Sequence, residues 1–119
     1  MAQTYDENCI FCKIANHVIE STYLFENDRV VAFRDLNPVA PTHVLVVPKA
    51  HHRNIIDSVP AETLASMAKA VEEVARAEGI DESGFRVIAN TGADAGQAVD
   101  HLHWHVLGGK DLGEALLAE

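Results

Sequence analysis

Short runs of alternating or continuously apolar residues, separated by turn-forming residues, dominate the pattern of the chain. Alternation with a period of two is typical of strands that bury one face, and a continuous apolar run is typical of a strand buried on both. Pro, Gly, Asn and Asp residues separate these runs, as they do between strands. Strands are therefore predicted at residues 23–25, 29–34, 44–47, 84–90 and about 101–107.

One longer segment has the period of a helix instead. Its apolar residues follow i, i+3, i+4, i+7 spacing and predict a buried face, formed by Leu64, Met67, Ala68, Val71, Val74 and Ala75. Pro60 suits its first turn and Gly79 its end. A short helix is predicted over residues 9–16, with Asn8 as its N-cap. The fold class is therefore α+β, with a mostly antiparallel sheet of about five strands, one long helix and one short helix.

Length and charge narrow the function classes. A chain of 119 residues predicts a single domain over 1–119. The net charge of −9 opposes binding along a nucleic-acid backbone but permits a small nucleotide in a local pocket. No apolar run is long enough to span a membrane, and the amino terminus lacks a signal-peptide pattern. A cytoplasmic protein with no nucleic-acid or membrane partner is expected, in which two cysteines are ligands or redox groups.

The last predicted strand carries the most informative side chains. Alternation places His101, His103 and His105 on one face, whereas Leu102, Trp104 and Val106 face the core. Packing gives no reason for three imidazoles in register. Two chemistries fit such a row: a zinc ion with an open position that activates water, or a histidine nucleophile that forms a covalent intermediate. Small and amide residues just upstream, at positions 90–92 and 96–97, let backbone approach phosphate oxygens.

Residues 101–107, His-Leu-His-Trp-His-Val-Leu, resemble the His-φ-His-φ-His-φ-φ signature of the histidine triad (HIT) family, where φ is hydrophobic. The resemblance extends over roughly residues 9–109. Phe-Arg-Asp-Leu-Asn-Pro at 33–38 is similar to the nucleoside-binding segment of that family, and residues 41–49 are similar to the strand that follows it. Val-Leu-Gly-Gly at 106–109 resembles the Hint branch rather than the dinucleoside polyphosphate hydrolases.

The resemblance implies the HIT fold, usually a homodimer, and an enzyme that cleaves the P–N bond of purine nucleoside phosphoramidates. Such substrates are AMP-type nucleotides: adenosine 5′-phosphoramidate and aminoacyl or lysyl adenylates. Position by position, it implies that His103 takes the nucleotide covalently, that His105 lies at the phosphate and leaving group, and that His101 and His43 support them. It also implies three groups of nucleotide-binding residues. The base pocket is formed by Ile10, Phe11, Phe33 and Leu36, and Asp35 accepts the ribose hydroxyls. The phosphate is surrounded by Asn90, Gln97, Val99 and His105.

Cys9 and Cys12, at i and i+3, share one face of the short helix. This spacing alone leaves open a metal site, thiol redox chemistry or chance. The resemblance implies that both thiols join His51 and His101 around zinc. Two thiolates with two imidazoles form a closed tetrahedral site, which is the structural kind.

The sequence departs from the Hint pattern at two places. Ala98 stands where most members have a serine near the leaving group, and residues 110–119 lack a Trp-containing ending. The first departure concerns the efficiency of P–N cleavage and the preferred leaving group, and the second concerns substrate selection. The sequence also allows two alternative functions: a zinc hydrolase whose ligands are His101, His103 and His105, and a nucleotide-binding regulatory module with little turnover.

Overall fold

A five-stranded antiparallel sheet with one long and one short helix forms the computed structural model, which describes residues 5–114. The strand order is β1-β2-β3-β5-β4. The helices are α1 (Ile10–Ala15) and α2 (Ala61–Ala77), and a 3₁₀ turn covers Ala93–Ala95. The strands are β1 (Tyr23–Glu26), β2 (Val30–Arg34), β3 (Thr42–Pro48), β4 (Phe85–Ile88) and β5 (Trp104–Gly108). The predicted α+β class and five-stranded sheet are confirmed. The single domain over 1–119 stays a prediction, and the end of the 110–119 tail, from 115 onward, lies outside the described residues.

The sheet is covered on both faces, each with its own apolar cluster. Helix α2 packs against one face, where its Met67, Ala70 and Val74 meet alternate residues of β2, β3 and β5. Helix α1 packs against the opposite face, where Phe11 and Cys12 meet Phe33 and other alternate residues of β2 and β3. Every residue of β3 is buried. This double burial explains why β3 reads as a continuous apolar run rather than as an alternation.

The last strand begins later than predicted, at Trp104 instead of residue 101. The backbone N–H of Leu102 donates to the carbonyl of His52 at 2.7 Å, so the segment before Trp104 bonds to a loop and not to a neighbouring strand. The strand continues to Gly108, one residue past the predicted end. A Cβ at Gly108 would lie 2.7 Å from Cδ1 of the buried Ile80, so glycine lets the strand pass without displacing this side chain.

The helix ends also differ from the predictions. The N-cap of α1 is Cys9 and not Asn8, because the Cys9 sulfur accepts the N–H of Cys12 at 3.3 Å. In α2 the predicted buried residue Ala68 is exposed, whereas Ala70 is buried. Gly79 follows α2 with a φ of +71°, a left-handed conformation that glycine adopts at helix ends without strain. No helix within residues 5–114 is long and apolar enough to cross a membrane.

Candidate functional site

Two adjoining cavities open on the sheet face that carries α1. The larger, of about 410 Å³, is mostly apolar and lies between α1, β2 and the loop after β2. The smaller, of about 280 Å³, lies over β5 and the loop that precedes it. They share four lining residues, Phe11, Asp35, Leu45 and Val99. Together they form one cleft, with an apolar chamber and a histidine chamber.

The cleft brings most of the predicted nucleotide residues together. Ile10, Phe11, Phe33, Asp35, Leu36 and Val99 all line the apolar chamber. Asn90, His103 and His105 line the histidine chamber, together with Ala98. The chambers share a border at Asp35. An apolar compartment of this size beside a few polar groups is the usual form of a small-molecule site.

His103 is a buried imidazole whose hydrogen-bond partner determines its tautomer. Its Nδ1 lies 2.7 Å from the backbone carbonyl oxygen of His101. A carbonyl only accepts, so Nδ1 carries the ring proton and Nε2 keeps its lone pair. The ring packs edge-on against Phe11, with centroids 5.1 Å apart. His103 therefore has a nucleophilic nitrogen in the tautomer required for attack.

His43 and His105 form a directed hydrogen-bond chain with Asp35, which we call the cleft chain. The backbone N–H of Val39 donates to Nδ1 of His43 at 3.1 Å. The proton of His43 is therefore on Nε2, which donates to Nδ1 of His105 at 2.9 Å. Because Nδ1 of His105 accepts this hydrogen bond, the ring proton of neutral His105 is on Nε2.

Asp35 and burial complete the electrostatics of the cleft chain. Oδ2 of Asp35 lies 3.3 Å from Nε2 of His43, so its carboxylate also faces the N–H that His43 directs toward His105. Burial, with smaller contributions from the neighbouring His103 and His43, lowers the pKa of His105. His105 is therefore neutral at pH 7. In this state it has one N–H that it can donate to a ligand.

A second group of donors lies behind the triad, and we call it the thiol–imidazole cluster: Cys9, Cys12, His51 and His101. One donor atom from each lies within 4.8 Å of the others. Nε2 of His101 donates to the carbonyl of Pro48 at 2.9 Å, which leaves the lone pair of Nδ1 facing the Cys9 and Cys12 sulfurs at 3.2 and 3.5 Å. Nδ1 of His51 lies 3.3 Å from the Cys12 sulfur.

Burial without a compensating charge favours the neutral forms of Cys12 and His101. It raises the pKa of the Cys12 thiol to about 12 and lowers that of His101 to about 4. A divalent cation would reverse the balance for the thiols, since a bound metal deprotonates its coordinating sulfur. Two sulfur and two imidazole donors are the set that Zn²⁺ takes in closed tetrahedral sites. The cluster therefore has the chemistry to hold a metal ion.

The cleft chain does not share this property, although its donor atoms are equally close together. To bind a metal through Nε2, His43 would need its proton on Nδ1, where it would face the N–H of Val39. His101, His103 and His105 do not form a common donor group among residues 5–114. The zinc-hydrolase alternative therefore lacks the convergent ligand set on which it depends.

Gln97 is placed differently from the other nucleotide residues, because its amide braces two loops. Its Oε1 accepts the N–H of Gly92 at 2.9 Å. Its Nε2 donates to the carbonyls of Arg53 and Val99, at 2.7 and 3.0 Å. An amide nitrogen has two hydrogens, and both are used. Gln97 does not line either chamber, but it holds the loop that presents Asn90, Ala98 and Val99.

Sequence reasoning missed several residues of the cleft. Leu45, Ile14 and Ile19 also line the apolar chamber. The alternation of β3 could have placed Leu45 on the same face as His43, whereas nothing in the sequence marks Ile19. The Val39 backbone N–H, which sets the tautomer of His43, leaves no sequence signal because it is a main-chain group.

Comparison with known proteins places the chain in a family. The HIT domain profile matches residues 16–112. The chain is 42% identical to the purine nucleoside phosphoramidase of Escherichia coli, over 92% of this chain and 94% of that protein. It is 39% identical to a 14 kDa zinc-binding protein of Zea mays, over 90% and 86% of the two chains.

Solved structures agree with this assignment. A HIT family hydrolase from Clostridium thermocellum superposes with a TM-score of 0.88 at 47% identity, and the match covers 94% of this chain and 99% of that one. The sequence match, the superposition and the histidine row in its cleft lead to one conclusion. The chain belongs to the HIT domain family and is a hydrolase of that family.

Proposed function

We propose that the protein hydrolyses the P–N bond of purine nucleoside phosphoramidates, including aminoacyl or lysyl adenylates, through a covalent nucleotidyl-His103 intermediate. One observation carries this proposal. The His101 carbonyl holds the His103 proton on Nδ1, so the Nε2 lone pair is free in a chamber beside an apolar, nucleoside-sized cavity. The name of the Escherichia coli relative, purine nucleoside phosphoramidase, supports the same substrate class.

The apolar chamber accepts the purine, with Ile10, Phe11, Phe33 and Leu36 around the ring. Burial of a base against these side chains supplies non-directional affinity in proportion to the apolar area removed from water. Asp35 stands at the border of the two chambers and accepts the ribose hydroxyls. Its Oδ1 already accepts the N–H of Asn37 at 2.8 Å, which holds the carboxylate in place for this role.

The reaction proceeds in two displacements at the α-phosphorus. Nε2 of His103 attacks, the P–N bond to the leaving amine breaks, and His105 transfers the proton of its Nε2 to the departing nitrogen. Nε2 of His43 can pass its proton to Nδ1 of His105 at this point, and the missing proton of the cleft chain is balanced by the positive charge of the nucleotidylated His103 ring, whose Nδ1 stays protonated. Water next attacks the phosphorus and gives up its proton to His105, and the bond to His103 breaks. The products are the nucleoside monophosphate and the amine.

Asn90, Ala98 and Val99 surround the phosphate in this scheme, and Gln97 supports their loop. Asn90 and the loop N–H groups are the candidates that offset charge on the phosphoryl oxygens in the transition state. Ala98 offers no hydroxyl to the leaving group, so His105 is the principal proton donor on that side. This arrangement favours amines that need one proton to depart.

The thiol–imidazole cluster holds a structural zinc ion in our proposal, with Cys9, Cys12, His51 and His101 as its ligands. The zinc-binding relative from Zea mays supports this choice of metal. The bound ion would cross-link α1, the segment after β3 and the start of the triad strand. Four protein ligands would leave it no open coordination position, so it would contribute to stability and not to the chemical step.

The assembly and location of the protein are also inferred. We infer a homodimer in the cytoplasm that acts on free purine nucleotides and neither on nucleic acids nor at membranes. The free edge of β4, where Phe85 and Val87 are exposed, is a surface on which a second copy can pair. Light scattering coupled to size exclusion measures the predicted dimer directly.

The test of the function is a substrate panel ranked by kcat/KM. The panel contains adenosine and guanosine phosphoramidates, lysyl adenylate, dinucleoside polyphosphates and nucleotidyl sugars. P–N substrates are expected to rank first, and acid-labile nucleotide label is expected on His103 after rapid quench. AMP binding without a product burst in a single turnover would instead indicate the regulatory module. Activity that vanishes with chelation while the protein stays folded would indicate the zinc hydrolase.

A further inference from the structure

We propose that Cys9 and Cys12 form a reversible oxidation site, which a peroxide closes into an intramolecular disulfide. This inference goes beyond the hydrolase activity and does not depend on the substrate class. The two residues are the only cysteines of the chain. Both thiols are free, and their sulfurs lie within 4.8 Å of one another, at the N-cap and the first turn of α1.

The local backbone already brings the two sulfurs together. Cys9 has an extended conformation, with φ −99° and ψ 119°, whereas Cys12 is inside the helix. The Cys12 N–H donates to the Cys9 sulfur at 3.3 Å, so the Cys9 side chain is folded back over the first turn toward Cys12. A disulfide needs two sulfurs that can approach each other closely, and here both already lie on the same side of the first helical turn.

Access determines the order in which the sulfurs react. A cavity of about 340 Å³ opens onto Cys9 and His51 and is bordered by Asp6, Asn8, Ala98 and Asp100, among others. Cys9 is 8% exposed and Cys12 is fully buried. Cys9 therefore meets the oxidant first, and Cys12 acts as the resolving thiol. Cys9 is itself mostly buried, but the cavity gives a small oxidant a path to its sulfur, and a reachable cysteine beside a second thiol is typical of reversible oxidation sites.

The chemistry balances with hydrogen peroxide as the oxidant. The Cys9 sulfur attacks one peroxide oxygen, the O–O bond breaks and water leaves, which converts Cys9 to a sulfenic acid. The Cys12 sulfur then attacks the Cys9 sulfur, the S–S bond forms, and the hydroxyl leaves as a second water with the Cys12 proton. The two thiols lose two electrons and two hydrogens in total, and one peroxide is reduced to two waters.

Oxidation has a structural consequence for the triad. A disulfide removes both sulfur donors from the thiol–imidazole cluster, so only His51 and His101 remain to hold a metal. His101 has a double role, because its ring faces the two sulfurs while its carbonyl holds Nδ1 of His103. The oxidised protein is therefore expected to release a bound metal and to position His103 less rigidly.

The experiment treats the purified, metal-containing protein with hydrogen peroxide and follows it by intact mass spectrometry. The expected product has lost two hydrogen atoms and both titratable thiols, and dithiothreitol restores it. A colorimetric zinc chelator in the same solution should record metal release in step with thiol loss. These readouts require no substrate, so they are independent of whether the protein cleaves P–N bonds.

Single-cysteine variants test the order of events. Cys12→Ser lacks the resolving thiol and should accumulate a Cys9 sulfenic acid that dimedone captures. Cys9→Ser is the matched control and should react with dimedone at least tenfold more slowly. If wild-type protein instead gains oxygen atoms at either sulfur, or keeps both thiols after prolonged peroxide exposure, the proposal is wrong. The wild-type mass measurement stands even if either variant folds poorly.

Discussion

The thiol–imidazole cluster and the cleft chain both pair histidines with potential ligands, yet the structure prepares them for different chemistry. In the first, Nε2 of His101 donates a hydrogen bond to the carbonyl of Pro48, so the ring proton is on Nε2 and the lone pair of Nδ1 faces the sulfurs. In the second, Nδ1 of His43 accepts a hydrogen bond from the N–H of Val39, so the ring proton is on Nε2 and faces His105. One main-chain group behind each ring therefore decides whether it can bind a metal or donate a proton.

His103 combines features of both regions. Like His101 it has a carbonyl behind its ring, so its outward nitrogen has a lone pair. Like His105 it faces a chamber of the cleft rather than the sulfurs. A lone pair that faces a substrate cavity is a nucleophile, whereas a lone pair that faces two thiols is a ligand.

The largest effect is expected from His103→Ala. Removing the nucleophile should lower kcat by roughly 10³-fold or more and leave AMP affinity within about tenfold, because the loss is confined to the transition state. Steady-state kinetics and calorimetry measure the two quantities. His17→Ala is the control, since His17 pairs with Glu20 and Glu26 at an exposed site. Near-normal turnover of His103→Ala would exclude the covalent route.

A pair of substitutions at His43 tests the cleft chain. His43→Leu removes the donor to His105 and should lower kcat by about 10²-fold, the range usual for proton-transfer groups. His43→Gln can place an amide N–H toward His105 and should recover part of the loss. KM should change less than kcat in both variants. Equal kinetics for the two variants would show that the proton of His43 has no role.

Substitutions in the thiol–imidazole cluster should lower the stability of the fold more than the rate of catalysis. Cys9→Ser combined with Cys12→Ser should abolish the metal, expected at about one zinc per chain, and lower Tm by roughly 10 °C, as loss of a tightly bound ligand does. Elemental analysis and calorimetry provide the measurements. Activity at low temperature should remain measurable. Full stability with activity lost and then rescued by zinc would move the metal into the mechanism.

Ala98→Ser tests the leaving-group side of the cleft. A hydroxyl there adds a donor and should raise kcat for P–N substrates about fivefold, which corresponds to about 1 kcal/mol of barrier. Ala68→Ser, on the exposed side of α2, is the matched control and should leave the rate unchanged. Absence of any gain across several amine leaving groups would mean that His105 already supplies the required proton.

The smallest effect comes from a charge pair outside both regions. Arg34 binds Glu78 at 2.7 Å, and with the Thr42 hydroxyl it lowers the pKa of Glu78 below 4.5. The pair therefore stabilises the fold above about pH 4.5, and this contribution is lost as the pH falls through the lowered pKa. Because the Arg34 side chain is partly exposed, Glu78→Gln should lower the free energy of unfolding by only about 1 kcal/mol at pH 7 and by less at pH 3.

Urea unfolding at several pH values measures the Glu78 contribution. Glu72→Gln is the matched control, since Glu72 is exposed on α2 and its ion pairs within residues 5–114 are with Lys69 and Arg76 of the same helix. Arg76 and Lys69 also lower the pKa of Glu72, but this site is exposed to solvent, so the pH dependence should be smaller than that of Glu78→Gln. A pH-independent difference between wild type and Glu78→Gln would show that the charge of Glu78 contributes nothing.

Much of the architecture followed from the chain pattern. Alternation in residues 101–107 separates the triad imidazoles from Leu102, Trp104 and Val106, and the structure keeps the two sets on opposite faces even though β5 starts only at Trp104. The start of β5 was mispredicted because the His52 carbonyl takes the Leu102 N–H from 50 residues earlier in the chain. Local patterns do not record a partner so distant in sequence.

For this protein, the sequence by itself determined the residue types: a triad of imidazoles on one face, a Cys-x-x-Cys pair near a helix start, and an acidic residue in the loop after β2. The tertiary structure alone decided which nitrogen of each imidazole is free. Pro48, Val39 and the carbonyl of His101 make that choice through main-chain groups. Every residue except proline has the same N–H and C=O, so their roles depend on where the fold places them and not on the side chains the sequence specifies.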